Sequence, residues 1–271
     1  MRKISLLGPN YRDYIFDARS PVSLDVSNFG TWTSKMGGVF NVARDLARNF
    51  NLEIEITVAH QILDKLSSYQ FDALADFISV EEAFLVDTTV ILDKWSSTRT
   101  ALVDLDKIPV KLDRLPGFNF SEILHIAYLD SLKISKQCLT ELRSQFDMVV
   151  CDLSATSLDS EVVSRLEIVD ALLCSSSEFQ SLAKSGHKLA IDLKLPPFVC
   201  VHDPEYLLII ENGESWKMTQ EKYGSLDTLG AGDAFAANFL GEVASGTSWR
   251  ESAILANKMV RQDLSNQVGE K

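Results

Sequence analysis

No apolar run in this sequence approaches the roughly 20 residues that a bilayer-crossing helix requires. The short apolar stretch Ile4 to Leu7 ends at once in Pro9, Asn10, Tyr11 and Arg12, too soon for a signal peptide, so the expected compartment is the cytoplasm. Cysteine is scarce: Cys138, Cys151, Cys174 and Cys200 lie far apart, without a zinc spacing. They read as reduced thiols, the last three in apolar, strand-like stretches. His60, His125, His187 and His202 are equally isolated, and chain order shows no positioned partner for any of them. Basic residues are outnumbered, 26 Lys and Arg against 38 Asp and Glu, and form no compact run. The far field of a chain with net charge −12 repels phosphate backbones and anionic lipid, so neither nucleic acid nor membrane is an expected partner. A small phosphate-bearing ligand stays open, because backbone N–H groups and a bound cation can hold it inside a limited site.

Repeats, low-complexity tracts and Pro/Ser-rich linkers are also missing, which favours one body over 1–271. Within it, short apolar runs alternate with helical periodicity. Ile4 to Leu7, Ile54 to Val58, Ile123 to Ala127, Met148 to Cys151, Ala171 to Cys174 and Phe198 to Val201 read as buried strands. Val39 to Phe50, Ile134 to Gln145, Ser160 to Leu166 and Ser177 to Lys184 read as crossover helices. That alternation predicts an α/β fold, a central and mostly parallel sheet between helices. Two stretches, about 14–35 and 84–106, break the rhythm with partial apolar and polar alternation. They fit either a small antiparallel lid inserted over the main sheet or two edge hairpins.

Chemistry concentrates in the run Asp227, Thr228, Leu229, Gly230, Ala231, Gly232, Asp233, Ala234, Phe235. Phe235, Phe239, Leu240 and Val243 share one helical face and Gly246 can stop the helix, so the glycines fall at its N-terminus. Amides there lack helical acceptors, glycine admits a ligand close to the chain, and the helix dipole favours an anion. Asp233 in the first turn adds a carboxylate beside this anion hole. Phosphoryl transfer needs both: donors for the transferring group, and a base for the attacking hydroxyl. A carboxylate that merely complements the helix dipole would look the same. A dinucleotide-binding loop fits less well, since Phe235 stands where a third glycine belongs.

This run resembles the signature Asp-Thr-x-Gly-Ala-Gly-Asp-x-Phe of the ribokinase family, also called the phosphofructokinase-B family. A second segment, Gly37, Gly38, Val39, Phe40, Asn41, Val42, Ala43, resembles that family's Gly-Gly-x-x-Asn-x-Ala motif, which helps line the sugar site in relatives. Asn41 offers both a donor and an acceptor to hydroxyls. The resemblance implies a ribokinase-like three-layer fold with a small β lid, and an ATP-dependent kinase acting on a hydroxyl of a sugar. Asp233 would be the base, with Gly230, Ala231 and Gly232 as the anion hole. Asp13, with Gly37, Gly38 and Asn41, would bind substrate; Asp17 is the alternative to Asp13. Asp227 and Thr228 would lie near a monovalent cation such as K+, and Mg2+ would bridge the nucleotide phosphates. A lid with exposed apolar residues would support a homodimer.

Two departures from the family pattern stand out. Where relatives carry Asn-x-x-Glu, with a Glu that organises magnesium through water, this chain has Ser175, Ser176, Ser177, Glu178. Ser175 and Glu178 are the cofactor-binding candidates there, and Ser177 could instead cap the next helix. Where relatives show Thr-x-Gly near the nucleotide, this chain has His202, Asp203, Pro204, Glu205, Tyr206. Pro204 removes a backbone donor and Glu205 adds negative charge. A nucleoside kinase on the same scaffold, and a ligand-binding or regulatory homologue without turnover, are the competing functions.

Overall fold

A computed structural model describes residues 3–18, 20–22, 30–50, 53–57, 85–93, 98–103, 110–111, 122–154, 160–189, 194–221 and 230–269. In chain order the strands are β1 (Lys3–Leu7), β2 (Asn10–Ala18), β3 (Gly30–Gly38), β4 (Glu53–Thr57), β5 (Leu85–Asp93), β6 (Thr98–Val103), β7 (Val110–Lys111), β8 (Ile123–Ile126), β9 (Leu132–Lys133), β10 (Met148–Asp152), β11 (Ala171–Ser175), β12 (Phe198–His202), β13 (Tyr206–Glu211) and β14 (Glu214–Thr219). The helices are α1 (Val39–Asn49), α2 (Lys136–Arg143), α3 (Ser160–Leu166), α4 (Ser176–Leu189), α5 (Ala231–Ala244) and α6 (Trp249–Gly269).

The main sheet has eight strands in the order β14-β13-β12-β11-β10-β8-β1-β4. From β12 to β4 every pairing is parallel, and β13 and β14 continue the sheet as an antiparallel hairpin. Its strands are apolar on both faces because helices cover both. Ile4, Leu6, Val150, Leu173, Phe198 and Cys200 pack into one core with residues of α1, α5 and α6. Their neighbours Leu7, Val149, Cys151, Leu172, Cys174, Val199 and Val201 pack into a second core with residues of α2, α3 and α4. This period of two is the pleat of a strand read out on two apolar layers. Phe198 stacks on Phe239 and meets Trp249 edge-on, with ring centroids 5.7 and 5.3 Å apart. Burying each such ring contributes about 1.5–3 kcal/mol.

All six expected core strands and four expected helices are present, with ends shifted by a few residues. Cys151, Cys174 and Cys200 are buried free thiols in strands, as expected, and Cys138 lies on α2. No expectation attached to the β13–β14 hairpin or to α6. β14 is an edge strand exposed at alternate residues, and a two-stranded hairpin with one wet face has a weak apolar signature.

A second sheet has the order β3-β2-β5-β6. It differs from an antiparallel lid in one pairing: β2 and β5 run parallel, while β2–β3 and β5–β6 are antiparallel. After the β2–β3 hairpin the chain passes through α1 and β4 of the main layer before β5 begins, so β5 enters this sheet in the same sense as β2. The four strands also form one sheet and not two separate edge hairpins. Among the described residues no helix is long and apolar enough to cross a membrane.

Candidate active site

Chain direction across the main sheet reverses beside β1. From β1 the chain moves to β4 on one side, and from β8 it steps through β10, β11 and β12 on the other. At such a switch point the loops beyond the carboxyl ends of neighbouring strands part and leave a crevice where ligands bind. The loops after β1 and β8 approach closely here. A methyl group on Gly8 would lie 2.6 Å from the carbonyl oxygen of Ala127 and 2.9 Å from its Cβ. Gly8 therefore serves the close packing of these two loops, where a side chain would not fit.

Asp233 lies in the first turn of α5 and meets Tyr128, in the loop after β8. Gly230 caps that helix at φ 87°, in the left-handed region that glycine enters without a Cβ penalty. The first amides of α5 have no acceptor within the helix. Gly232 is exposed, and a methyl group placed on it would meet only His202 Cε1, at 3.8 Å, among the described residues. Among the described residues, little therefore crowds a side chain at position 232. Asp233 itself is buried.

Two donors hold its carboxylate. Nδ2 of Asn41, in the first turn of α1, donates to Oδ2 at 2.7 Å, and the Tyr128 hydroxyl donates to Oδ1 at 2.5 Å. Asn41 is delivered there by Gly38, which caps α1 at φ 70° and ends β3, so this glycine joins the second sheet to the main layer. Burial pushes the Asp233 pKa up to about 6, against the two hydrogen bonds, and the nearby carboxylates Asp152 and Asp45 push it the same way. A carboxylate with that value is ionised at neutral pH and still basic enough to accept a proton.

Three further residues surround this pair. Asp152, at the end of β10, accepts a hydrogen bond from the Tyr128 backbone N–H through Oδ1. Its Oδ2 lies 3.3 Å from Nε2 of His125, a fully buried ring on β8 whose nitrogens make no hydrogen bond among the described residues. His202, at the end of β12, stacks on Phe235 with centroids 4.7 Å apart, and burial holds its pKa down to about 4, so the ring is neutral. Two histidines isolated in the sequence are therefore neighbours of the candidate site. Sequence reasoning missed Asp152 and Tyr128 as well. Asp152 had a usable signal, a carboxylate at the carboxyl end of an apolar strand; Tyr128 had none.

Ser175 and Glu178 are brought together, but around the start of α4. The Ser175 N–H donates to Glu178 Oε2 at 2.6 Å, and the Glu178 N–H donates to Ser175 Oγ at 3.3 Å. This is a capping box, so Ser175 and not Ser177 caps the helix. Burial pushes the Glu178 pKa up to about 7, while the hydrogen bonds from Ser175 pull it down. In the 202–206 turn the carboxylate facing α4 is that of Asp203, which accepts from Ser176 Oγ, whereas Glu205 is exposed. Arg261 Nη1 donates to the Pro204 carbonyl at 3.3 Å and Gln220 N–H to the Glu205 carbonyl at 2.8 Å, closing the turn.

Asp13 is buried on β2, opposite Lys35, and Asp17 is half-buried opposite Thr31. Gly37 and Gly38 are buried at the end of β3. Asp227 and Thr228 lie outside the described residues. Among the described residues no three or more His, Cys, Asp or Glu side chains are grouped to hold a metal ion.

A mostly parallel sheet between two helical layers, with a second small sheet beside it, defines a ribokinase-like α/β protein. The family model for pfkB family carbohydrate kinases matches residues 116–261, just over half of the sequence, and the chain belongs to that family. No curated protein matches the sequence. Solved structures similar to it include a nucleoside kinase from Methanocaldococcus jannaschii, an archaeal member of the ribokinase family. That protein is 16% identical with a TM-score of 0.70, the alignment covering 96% of this chain and 90% of that one. Ribokinase from Cryptococcus neoformans var. grubii serotype A, in complex with ADP, is 14% identical with a TM-score of 0.72, covering 94% and 91%. A nucleoside kinase from Burkholderia thailandensis, in complex with inosine, is 14% identical with a TM-score of 0.71, covering 97% and 89%. At these identities the likeness concerns the fold.

Proposed function

We propose that this chain transfers the terminal phosphoryl group of ATP to a hydroxyl of a sugar or a sugar-like substrate, with Asp233 as the base. The observation that carries this reading is the position of Asp233: a buried carboxylate in the first turn of α5, with its pKa near 6, beside the exposed Gly232. The acceptor hydroxyl gives its proton to Asp233 as its oxygen forms a bond to the terminal phosphorus. The bond from that phosphorus to the bridging oxygen breaks, and ADP leaves with its electron pair. Amides at the start of α5 stabilise the charge on the transferring group, and Asn41 fixes the carboxylate plane. Magnesium, when bound with the nucleotide, would neutralise phosphate charge, with Glu178 reaching it only through water.

Asp13, Gly37, Gly38 and Asn41 would line the acceptor side, the second sheet would act as the lid, and Asp227 and Thr228 would border the K+ site. A cytoplasmic setting and a homodimer through the second sheet belong to the same reading; Tyr14 and Trp32 on that sheet are exposed. The nucleoside kinases among the similar structures support a second acceptor class, nucleosides, on the same machinery.

Nucleotide consumption over a panel of sugars and nucleosides, with ATP and other triphosphates as donors, tests the reading. Turnover is expected with at least one acceptor, and Asp233→Asn should lower it by about 10²–10⁴-fold while acceptor binding persists. Full turnover in Asp233→Asn would refute the base. Acceptor binding by the wild type without turnover would favour the ligand-binding homologue.

A further inference from the structure

Tyr128 adopts a backbone conformation that glycine enters readily and bulky L residues rarely do, with φ 56° and ψ 58°. Its surroundings hold it there. The Tyr128 N–H is bound by Asp152, its carbonyl accepts from the Ser131 N–H at 2.8 Å, and the preceding Ala127 N–H donates to the Leu7 carbonyl at 2.8 Å. The short 3₁₀ turn that follows, Leu129–Ser131, is anchored from below. Buried Arg165 donates through Nη1 to the Leu132 carbonyl at 2.7 Å, and the Ser154 N–H donates to Asp130 Oδ1 at 2.7 Å. A rare conformation fixed from several directions marks a side chain whose placement matters.

What that placement achieves is a hydroxyl on the candidate base. The Tyr128 phenol donates to Asp233 Oδ1 at 2.5 Å, while Asn41 holds Oδ2. An acceptor alcohol presents the same group to the same carboxylate, and it is the weaker acid and so the weaker donor. With one oxygen held by an amide and the other by a phenol, a simple hydroxyl gains little by approaching.

We propose that the Tyr128 phenol occupies the acceptor-hydroxyl position on Asp233 and that an acceptor must displace it, which makes Tyr128 the residue that selects acceptors. This rests on Asp233 as the base. The gate favours acceptors with several further hydroxyl or ring contacts, because those contacts must supply the affinity that the reacting hydroxyl cannot. Small alcohols and short polyols are rejected, and the site avoids transferring phosphate to water, which brings no such contacts.

The test uses the full chain and two variants. Tyr128→Phe keeps the ring and its packing and deletes only the competing hydroxyl. Tyr128→Gly suits the left-handed backbone and opens the space entirely. Acceptor affinity is read by calorimetry, and KM and kcat by coupled assay, over ribose, fructose, inosine and glycerol with ATP. Tyr128→Phe should bind acceptors about tenfold more tightly, the scale of one lost competing hydrogen bond to a charged group. Its acceptor KM should fall by more than its kcat, and ATP hydrolysis without acceptor should rise. The pH profile should also move upward, because the phenol hydrogen bond favours the ionised form of Asp233. Tyr128→Gly should extend turnover to glycerol. Equal or weaker acceptor binding in Tyr128→Phe, or a fall in kcat with KM unchanged, would overturn the gate and leave Tyr128 as a positioning residue for Asp233. Asp233→Asn, run alongside, separates the two failures. If that variant is inactive and Tyr128→Phe binds no tighter, only the gate is lost; if it stays active, the base assignment fails.

Discussion

Nδ2 of Asn41 lies 2.7 Å from Oδ2 of Asp233, across 192 residues of sequence. The pair joins the start of α1 to the start of α5, and with them the two segments whose motifs resemble one family. Motifs that are separate in sequence form one charge-assisted contact in the fold.

Activity should rise with pH. Asp233 must be ionised to accept a proton, and its pKa is raised to about 6 by burial. A plot of kcat/KM against pH should therefore climb through an apparent pKa near 6 and flatten above 7. A rising limb centred near 4 would mean that the carboxylate is solvated when the enzyme works.

Stability should show the opposite sign for the same group. Asp233 titrates near 3.8 when unfolded and near 6 when folded, so the folded state holds the proton longer. Its contribution is full below the unfolded value and is lost as pH rises through 6, on the order of 3 kcal/mol. His202 acts the other way. Its pKa falls from 6.5 to about 4, so its contribution is present above 6.5 and lost as pH falls toward 4. Thermal unfolding from pH 4 to 7 should show Asp233→Asn gaining Tm over the wild type above pH 6 and not at pH 4.

Gly8→Ala should damage stability and activity together. The new methyl would sit 2.6 Å from the Ala127 carbonyl oxygen, so the turn carrying Tyr128 must move. Overpacking of this kind costs roughly 1–3 kcal/mol, and Tm should drop by several degrees. A Tm equal to that of the wild type would show that the loops after β1 and β8 are not tightly joined.

Ser175→Ala should cost about 1 kcal/mol through loss of the cap on α4. Glu178→Gln keeps an acceptor for the Ser175 N–H, so its Tm should stay close to that of the wild type. A higher magnesium requirement in Glu178→Gln, at unchanged Tm, would isolate a water-mediated metal role from the structural one.

The core strands and crossover helices were legible because a sheet covered on both faces needs short continuous apolar runs, such as Met148 to Cys151 and Phe198 to Val201, set between longer helical patterns. The β13–β14 hairpin was less so, since one wet edge dilutes the pattern. The second sheet, expected as an antiparallel lid or as two edge hairpins, has one parallel pairing, because alternation along β2 and β5 is the same whichever way the two strands run. Ser175 with Glu178 shows a different limit: one pair of residue types serves a nucleotide site or a helix cap, and only distances separate them.

The sequence by itself determined the class of fold and singled out Asp233 as the candidate base, since apolar periodicity and a glycine-rich helix start are local properties of the chain. Tertiary structure alone decided what touches that carboxylate. Asn41 and Tyr128, which donate to it, come from a helix start and a distant loop, while Asp152, His125 and His202 approach from other strands, and all meet because of how the sheet is ordered. That is a consequence of how strands are ordered in space, which no local stretch of sequence encodes.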